Sequence, residues 1–510
     1  MRLLSMRKAQ ARLLWVVAGA ALAAAVLIAG CGANYRPVVT PVTPSGPAAQ
    51  PTSYAVVVSY PSATAAGVVT IIDYSGDSVM AEAPIGPGPS AFTIDELGAT
   101  GYTLNSDGTI SNFPITTSLQ AKNVTYSTLS SAAQVVNMMA PSSGLWAADL
   151  NGNVADIFAS SPETFKLAVP VATTPVAITG SPTLTGEREY VISQGFNDPT
   201  GVACNVSPRT VTSDGYATPI EISTYAPDTP IALGVCPVYA VQSPDLKRLF
   251  VLNRGDDTIT VINSQNNTLD ACSPFTNQNG QTVYCHPTLP LSTSAVTATK
   301  ITPPNCNLST DPTCGGMPAI AGPVYAEYNA ATSQLVVADY DGGTVSVIDV
   351  SLDEYGNDSA TFGDTYTIKV GNDPASVTAL YDGSRAYTAN QADGTVSIVN
   401  LASHTLEKTL NVVGHPRTVV STQNSEYGKV YVASPDSPYL TILQTTSDLV
   451  DTTVLVEGNV VDVRTTTQNG TSGNANFYSR VPGYGEPCNL PIVPQASGTQ
   501  TALQVCQAIP

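Results

Sequence analysis

The sequence has few charged residues, and positive charge is scarcer than negative. Only 12% of its 510 residues are charged, and 20 Lys and Arg stand against 39 Asp and Glu, a formal net charge of −19. No cluster of Lys or Arg occurs outside the extreme N-terminus. Because an acidic chain is repelled by phosphate backbones, we expect no nucleic-acid partner. The hydrophobic share of 43%, with 39 Gly and 39 Pro, indicates a turn-rich globular chain.

Groups with catalytic or metal-binding chemistry are also scarce. The only histidines are His286, His404 and His415, and no CxxC pair occurs, so a structural zinc site or a multi-histidine copper or haem site is not expected. The G-x-S-x-G nucleophile elbow is absent as well. We therefore predict no catalytic residue, no metal ligand and no required cofactor.

The N-terminus has the pattern of an export signal. Four basic residues precede an 18-residue weakly polar or apolar run from Leu13 to Gly30. The run ends in Leu-Ile-Ala-Gly-Cys at Cys31, which resembles the lipobox of bacterial lipoproteins. That resemblance implies cleavage before Cys31, lipidation of its thiol and anchoring in a membrane of the cell envelope. The alternative is an uncleaved transmembrane anchor, because 18 apolar residues can just span a bilayer.

The residues that follow Cys31 bear on where the mature protein resides. Gly32 occupies the position at which an Asp would retain such a lipoprotein in the inner membrane, so the outer membrane or cell surface is permitted. Residues 31–53 are rich in Pro, Thr, Ala and Gly and predict an extended tether. Removal of the signal takes four basic residues with it, which leaves 16 against 39 acidic ones and a charge of −23.

The remaining cysteines agree with export to an oxidising compartment. Eight are left besides Cys31, and they allow on the order of 100 pairings. Pairing of sequence neighbours is the economical expectation, because each bond would then close a short loop in a turn-rich segment. The expected pairs are Cys204 with Cys236, Cys272 with Cys285, Cys306 with Cys314, and Cys488 with Cys506.

A hairpin unit recurs along the chain. It is clearest in LNRGDDTITVINS from Leu252, ADYDGGTVSVIDV from Ala338 and ANQADGTVSIVNL from Ala389. Each copy has an apolar strand that ends in Asn or Asp, then a turn with Asp or Gly, then a β-branched alternation. A second element, VGNDPASVTAL from Val370 and VGHPRTVVST from Val413, joins successive units.

These motifs resemble the YVTN-type β-propeller repeat. The best matches are Arg385–Asn390 followed by Gly394–Asn400, and Lys429–Ala433. The likeness is strong from Val324 to Val456 and weaker toward the N-terminus. It implies an all-β fold, a β-propeller of four-stranded blades, and is nearly silent about function. A pair of β-sandwiches is the alternative, but it does not explain a fixed unit of about 45 residues.

Counting second strands predicts eight blades, with seven left open. Their expected starts are Tyr54, Ala99, Gly144, Arg188, Arg248, Gln334, Arg385 and Lys429. The first unit lacks a first strand, and a late strand near Glu457–Arg464 is expected to pair with it and close the ring. The predicted organisation is a signal peptide 1–30, a tether 31–53, a propeller 54–465 with a disulfide-rich insertion at about 270–323, and a linker with a small tail 466–510.

Because antiparallel strands alternate in direction, the turns between second and third strands share one face with the links between blades. Ligands of propellers usually bind over the channel on such a face, so its polar residues are the candidate site. The alternative is that they only make hydrogen bonds within their turns. The candidates are Asn105, Asp149, Asn253, Arg254, Asp339, Tyr340, Asp373, Asn390, Gln391, His415 and Arg417.

Calcium is the one ion that the turns suggest. The loops from Asp149 and from Asp339 begin like calcium-binding loops, but both lack the closing Glu and place Gly too early. Turn chemistry explains them better.

The function that we expect is a non-catalytic binding or scaffold module for an envelope protein or polysaccharide. One alternative is a lactonase-type propeller hydrolase with a divalent cation. The other is an accessory lipoprotein of outer-membrane protein assembly.

Overall fold

The computed structural model describes residues 53–466 and 472–473. Within that range it leaves out 63, 96, 142–143, 160–163, 181–187, 199–202, 205–210, 278–279, 281, 292–298, 302–320 and 423. The expected signal peptide, Cys31, most of the tether and most of the tail lie outside the described residues, as do Cys306, Cys314, Cys488 and Cys506. The described part contains no helix of the length and apolarity needed to cross a membrane.

Eight four-stranded antiparallel sheets form the blades of a β-propeller. The innermost strands of successive blades contact one another around a closed circle, so the sheets form a ring. The prediction of eight blades is confirmed, and the structure excludes both seven blades and a pair of sandwiches. Six of the second strands begin at the expected residue, and the other two begin one residue later, at Thr100 and Leu145.

The first half of the ring comprises blades 1 to 4, each ordered from its innermost to its outermost strand. Blades 1 and 2 consist of Asn459–Thr465, Tyr54–Tyr60, Ala66–Asp73 and Val79–Pro87, and of Ala91–Ile94, Thr100–Leu104, Thr109–Pro114 and Thr125–Thr128. Blades 3 and 4 consist of Val135–Met139, Leu145–Asp149, Val154–Phe158 and Phe165–Pro170, and of Pro175–Gly180, Arg188–Ser193, Asp214–Glu221 and Ile231–Val235. A single 3-10 turn, Ala121–Asn123, precedes the last strand of blade 2.

The second half of the ring follows the same order. Blades 5 and 6 consist of Pro237–Gln242, Arg248–Asn253, Thr258–Asn263 and Thr268–Leu269, and of Pro323–Asn329, Gln334–Asp339, Thr344–Asp349 and Thr365–Lys369. Blades 7 and 8 consist of Pro374–Ala379, Arg385–Asn390, Thr395–Asn400 and Thr405–Asn411, and of Thr418–Ser421, Lys429–Ala433, Tyr439–Gln444 and Leu449–Leu455.

Short additional strands surround blades 5 and 6. Thr288–Pro290 pairs with the third strand of blade 5, and Phe275–Thr276 forms a small hairpin with Thr282–Val283. Thr299–Ile301 extends blade 6 at its outer edge, and Ser472–Gly473 pairs with its innermost strand.

Two distant segments of the chain complete blade 1. Asn459–Thr465 pairs antiparallel with Tyr54–Tyr60, which confirms the expected closing strand. The register shifts at Val58 and Ser59, so Val461 is an extra residue in the closing strand, a β-bulge. Pairing at this seam gives blade 1 its fourth, innermost strand and closes the ring.

Apolar side chains from both faces of each blade fill the space between neighbouring blades. The second strands are the most regular case, since every residue of Leu335–Asp339 and of Ala386–Asn390 is buried. Burial of such side chains stabilises the fold by about 25 cal/mol per Å² of apolar surface removed from water. The repeat therefore encodes the core.

A basic residue at the start of a second strand connects several blades to the next one. Arg385 pairs with Asp448 in the outer turn of blade 8, and Lys429 pairs with Asp77 in the outer turn of blade 1. Both Asp residues have positive φ, which places them at the turn tip. These contacts hold neighbouring blades together on one face of the ring.

Two of the expected disulfides are confirmed. Cys204 is bonded to Cys236, at the link between blades 4 and 5, and Cys272 is bonded to Cys285, within the segment that follows blade 5. The first fixes the long turn of blade 4 against the link, and the second closes a short loop.

Candidate functional site

The candidate residues lie on the face that we call the link face, formed by the links between blades and by the turns between second and third strands. Backbone hydrogen bonds hold each turn against the preceding link. The N–H of Arg254 donates to the carbonyl oxygen of Cys236 at 2.9 Å, and that of Gln391 donates to Asp373 at the same distance. The link face is thus one connected layer.

Asn side chains at the ends of second strands hold the hairpins closed. Asn253 Nδ2 donates to Thr258 Oγ1 at 3.0 Å and to Thr260 Oγ1 at 2.8 Å. Equivalent bonds run from Asn105 to Thr109 and Ser111 and from Asn390 to Thr395 and Ser397. All three Asn residues are buried. Their amides therefore contribute hairpin hydrogen bonds, as the turn-chemistry alternative predicts.

Asp339 occupies the same position in blade 6, with the hydrogen bonds reversed. Thr344 and Ser346 donate their hydroxyls to Asp339 Oδ2 at 3.0 and 2.6 Å. Complete burial raises the pKa of Asp339 to about 7, although the hydrogen bonds from Ser346 and Thr344 oppose this shift. A carboxyl group here is thus less favourable than the amide found in the neighbouring blades.

The link glycines pack directly on these Asn side chains. A Cβ atom at Gly371 would lie 2.6 Å from Asn390 Cγ, and one at Gly234 would lie 2.6 Å from Asn253 Nδ2. Gly86 approaches Asn105 more closely still. A link therefore needs Gly because the amide of the next blade occupies the space of a side chain.

An Asp in each of three turns binds the backbone of the link beside it. Asp256 accepts the N–H of Val235 at 3.1 Å, Asp393 accepts that of Asn372 at 2.6 Å, and Asp436 accepts that of His415 at 2.8 Å. The ring of His415 also lies against this carboxylate, with Nδ1 2.6 Å from Asp436 Oδ2. The turns and links are thereby locked together.

These three Asp residues are not among the candidates predicted from the sequence, although a signal was present. Each lies three positions after the last residue of its second strand, at Asn253, Asn390 and Ala433. Regular spacing of an acidic residue after a strand end was the available clue.

Four residues of blades 5 to 7 form a continuous chain across the link face. Arg254 donates to Asp341 through Nε at 3.2 Å and through Nη2 at 2.9 Å, and its guanidinium lies 5.4 Å from the centre of the Tyr340 ring. The hydroxyl of Tyr340 donates to Gln391 Oε1 at 3.2 Å. Arg254, Tyr340 and Gln391 are buried. Of the candidates, these three are the ones that side-chain contacts join across blades 5 to 7.

Arg417 lies at the seam between blades 8 and 1. Its Nη2 donates at 2.6 Å to the carbonyl oxygen of Val461, the bulge residue of the closing strand. The guanidinium is buried, and its Nε and Nη1 have no hydrogen-bond partner among the described residues. Arg417 thus caps a carbonyl group that the bulge removes from the ladder.

Asp149 and Asp373 complete the set of candidates. Asp149 Oδ1 accepts the backbone N–H of Gln134 at 2.8 Å and of Asn151 at 3.1 Å. Burial, followed by the nearby charge of Asp149, raises the pKa of Asp156 to about 6. Asp373 has positive φ and stands directly before the first strand of blade 7. Ligand binding by any of the eleven candidates stays a prediction.

In the described part of the chain, no three His, Cys, Asp or Glu side chains are grouped in a way that could hold a metal ion. The two calcium-like loops accordingly have their leading carboxylates, Asp149 and Asp339, in hydrogen bonds with their own hairpins.

The fold defines the class of the protein, an eight-bladed β-propeller with a tightly hydrogen-bonded link face. Its sequence matches no family model and no curated protein. The resemblance to the YVTN-type repeat therefore stays a prediction.

Solved structures share the propeller fold at low sequence identity. Apo AztD from Citrobacter koseri is 13% identical, with a TM-score of 0.50 over 81% of this chain and 97% of AztD. A candidate 6-phosphogluconolactonase from Bacteroides fragilis is 13% identical, with a TM-score of 0.50 over 82% of this chain and 99% of that one. The dihydro-heme d1 dehydrogenase NirN is 13% identical, with a TM-score of 0.52 over 84% of this chain and 78% of NirN. At this identity the likeness shows the fold alone.

Proposed function

We propose that this protein is an exported, lipid-anchored β-propeller that uses its link face as a non-catalytic binding surface for an envelope protein or polysaccharide. The observation that carries the proposal is the position at which the chain enters the ring and the position at which it exits. Ser53 and Thr466 are held together at the start of the second strand of blade 1, through bonds to Tyr74 and Tyr54. That strand start lies on the face opposite the link face, which we call the base face.

A tether attached at Ser53 would direct the base face toward the membrane and the link face away from it. Residues 31–53 supply the Pro-rich segment between the lipidated Cys31 and the ring. The link face would then project outward as a rigid surface, because its turns and links are already fixed by hydrogen bonds. A preordered surface loses little conformational entropy when it binds.

The charge of the exported chain favours certain partners. After removal of the signal the net charge is −23, from 16 basic and 39 acidic residues, so neutral or basic surfaces are attracted. A neutral polysaccharide and a basic protein patch both fit this description.

Site-specific photo-crosslinking in the native envelope tests the proposal. A photoreactive residue at Ala392, exposed on the link face, is compared with one at Tyr427, 85% exposed on the base face. Capture of a protein or glycan from position 392 and not from position 427 is the expected result. Capture from position 427 alone, or from neither, would overturn the proposal.

Anchoring and catalysis are tested separately. A Cys31→Ala variant should accumulate as an unlipidated, uncleaved precursor, and normal maturation of this variant would contradict the lipobox.

Thermal unfolding with EDTA or with calcium, together with lactone hydrolysis assays, tests the lactonase alternative. Capture of the outer-membrane assembly machinery from position 392 would identify the partner as that machinery.

A further inference from the structure

Four ionisable side chains of blades 5 and 6 meet near the base face, and we call them the charge cluster: Arg248, Asp270, His286 and Asp358. All four are buried, with side-chain exposures of 6% or less. Arg248 begins the second strand of blade 5, and Asp358 lies between the third and fourth strands of blade 6. The proposed function assigns nothing to these residues.

Asp358 is the centre of the charge cluster. Its Oδ1 accepts a hydrogen bond from Arg248 Nη2 at 3.0 Å. Its Oδ2 accepts the backbone N–H of His286 at 3.1 Å and lies 2.7 Å from His286 Nδ1. The same Nη2 of Arg248 is 3.3 Å from Asp270 Oδ1, and the backbone N–H of His286 reaches Asp270 Oδ2 at 3.4 Å. Both carboxylates therefore share the same two partners.

The charge cluster has one positive charge too few. Arg248 carries one positive charge, and the two carboxylates carry two negative ones, so the set has a net charge of −1 when His286 is neutral. One added proton makes the set neutral. Burial, and then the neighbouring charge of Asp358, raise the pKa of Asp270 to about 6. Burial and the neighbouring carboxylate thus favour a protonated Asp270.

Nearby groups do not supply the missing charge. Lys247 lies beside Arg248 but is partly exposed and pairs with Asp245, with Nζ 3.6 Å from Oδ2. In the loop of blade 6, Asp353 accepts hydrogen bonds from Tyr355 and Asn357 of its own loop and one from Asn277 of the segment 271–285. The other side of the His286 ring is covered by Phe362, whose centre lies 5.2 Å away.

Two residues of the charge cluster flank a disulfide-closed loop. Asp270 and His286 are the residues immediately outside the segment 271–285, which the Cys272–Cys285 disulfide closes into a loop. The backbone at both ends of the segment is bound to blade 5, since the N–H of Asp270 donates to the carbonyl oxygen of Val261 and the N–H of Val261 donates to that of Pro287, both at 2.9 Å. Asp358 of blade 6 binds His286. The charge cluster is therefore one of the contacts that attach this loop to blade 6.

We propose that the charge cluster is a proton-binding site that fastens the disulfide-closed segment 271–285 to blade 6. With a proton bound, the charge cluster is neutral and the segment stays attached to blade 6. Without the proton, a net negative charge stays buried, and the segment detaches more often. Because the folded-state pKa of Asp270 is raised, this contribution to stability is complete at low pH and is lost as the pH rises through the folded value.

Limited chymotrypsin digestion of the oxidised chain tests the proposal. Phe275 and Tyr284 are half-exposed cleavage sites within the segment, and Tyr427 on the far side of the ring is an internal reference. The ratio of cleavage at the first two sites to cleavage at Tyr427 cancels the pH dependence of the protease. We expect this ratio to rise several-fold between pH 5.5 and pH 8.

Two variants make the test specific. Asp270→Asn removes the excess negative charge, so its ratio should stay low and flat across the same pH range. Asp245→Asn removes a nearby exposed carboxylate outside the charge cluster and should keep the response of the unaltered protein. If Asp270→Asn fails to fold, Asp358→Asn takes its place. A flat ratio in the unaltered protein, or a rise that survives removal of the carboxylate, overturns the proposal.

Discussion

Arg254 of blade 5 holds Asp341 of blade 6 through two hydrogen bonds, from Nε and Nη2 to the two carboxylate oxygens. The Arg254 side chain is almost completely buried, and that of Asp341 is 18% exposed. Such a paired geometry fixes the angle between two neighbouring turns as well as their separation. The pair is therefore a structural joint of the link face.

Removal of this joint should destabilise the ring. We expect Arg254→Ala to lower the free energy of unfolding by about 3 kcal/mol, because it leaves a partly buried carboxylate without its partner. Denaturant unfolding measures the loss. Arg188→Ala is the matched control, since Arg188 is more exposed and lies 3.6 Å from Asp228, and it should change stability by less than about 1 kcal/mol. Equal losses in the two variants would contradict the structural role.

A methyl group at a link glycine should be poorly tolerated. We expect Gly371→Ala to lower the free energy of unfolding by about 2 kcal/mol, because the new Cβ would lie 2.6 Å from Asn390 Cγ. Gly76→Ala is the control, since its nearest neighbours would be 3.4 Å away, an ordinary contact. Thermal or denaturant unfolding of both variants checks the difference, and an unchanged Gly371→Ala would show that the link is not tightly packed.

The stability of blade 6 should depend on pH through Asp339. Its folded pKa of about 7 lies above the ordinary 3.8, so its contribution is most favourable at low pH and is lost as the pH rises through 7. We expect the stabilisation by Asp339→Asn to be greater at pH 8 than at pH 5 by about 2 to 3 kcal/mol. Asn253→Asp should place a buried carboxyl group in blade 5, so the free energy of unfolding of this variant should fall more steeply than that of the unaltered protein as the pH rises. Unfolding measured from pH 5 to pH 8 checks both, and parallel pH profiles for all three proteins would refute the assignment.

The Cys204–Cys236 disulfide should contribute strongly to stability. It closes a loop with a sequence separation of 32, and the chain-entropy relation gives about 3 to 4 kcal/mol for a loop of this length. A Cys204→Ser, Cys236→Ser double variant should therefore unfold at lower denaturant concentration. The unaltered protein under reducing conditions should have a midpoint at least as low, because reduction also opens the Cys272–Cys285 bond, and insensitivity to both treatments would show that the Cys204–Cys236 bond is not needed.

Much of the fold is readable from the sequence because the repeat is local. Successive side chains of strands such as Arg385–Asn390 point to opposite faces of the sheet and so pack between blades. The polar residue that ends the strand marks the turn. The charge cluster is different, since His286 lies in an irregular insertion and reaches Asp358 across 72 positions of sequence. The contact of Asp256 with a link is local, at 21 positions, but spacing alone did not tell whether its carboxylate faces the link or solvent.

The seam in blade 1 imposes an order on how the molecule is made. Tyr54 and Thr466 are in contact across 412 positions of sequence. Blade 1 therefore cannot acquire its inner strand until almost the entire ring has been synthesised, and contacts of such long range form slowly. Under the export proposed above, the chain would gain time from this arrangement, since its first strands would emerge without the partner that completes their blade.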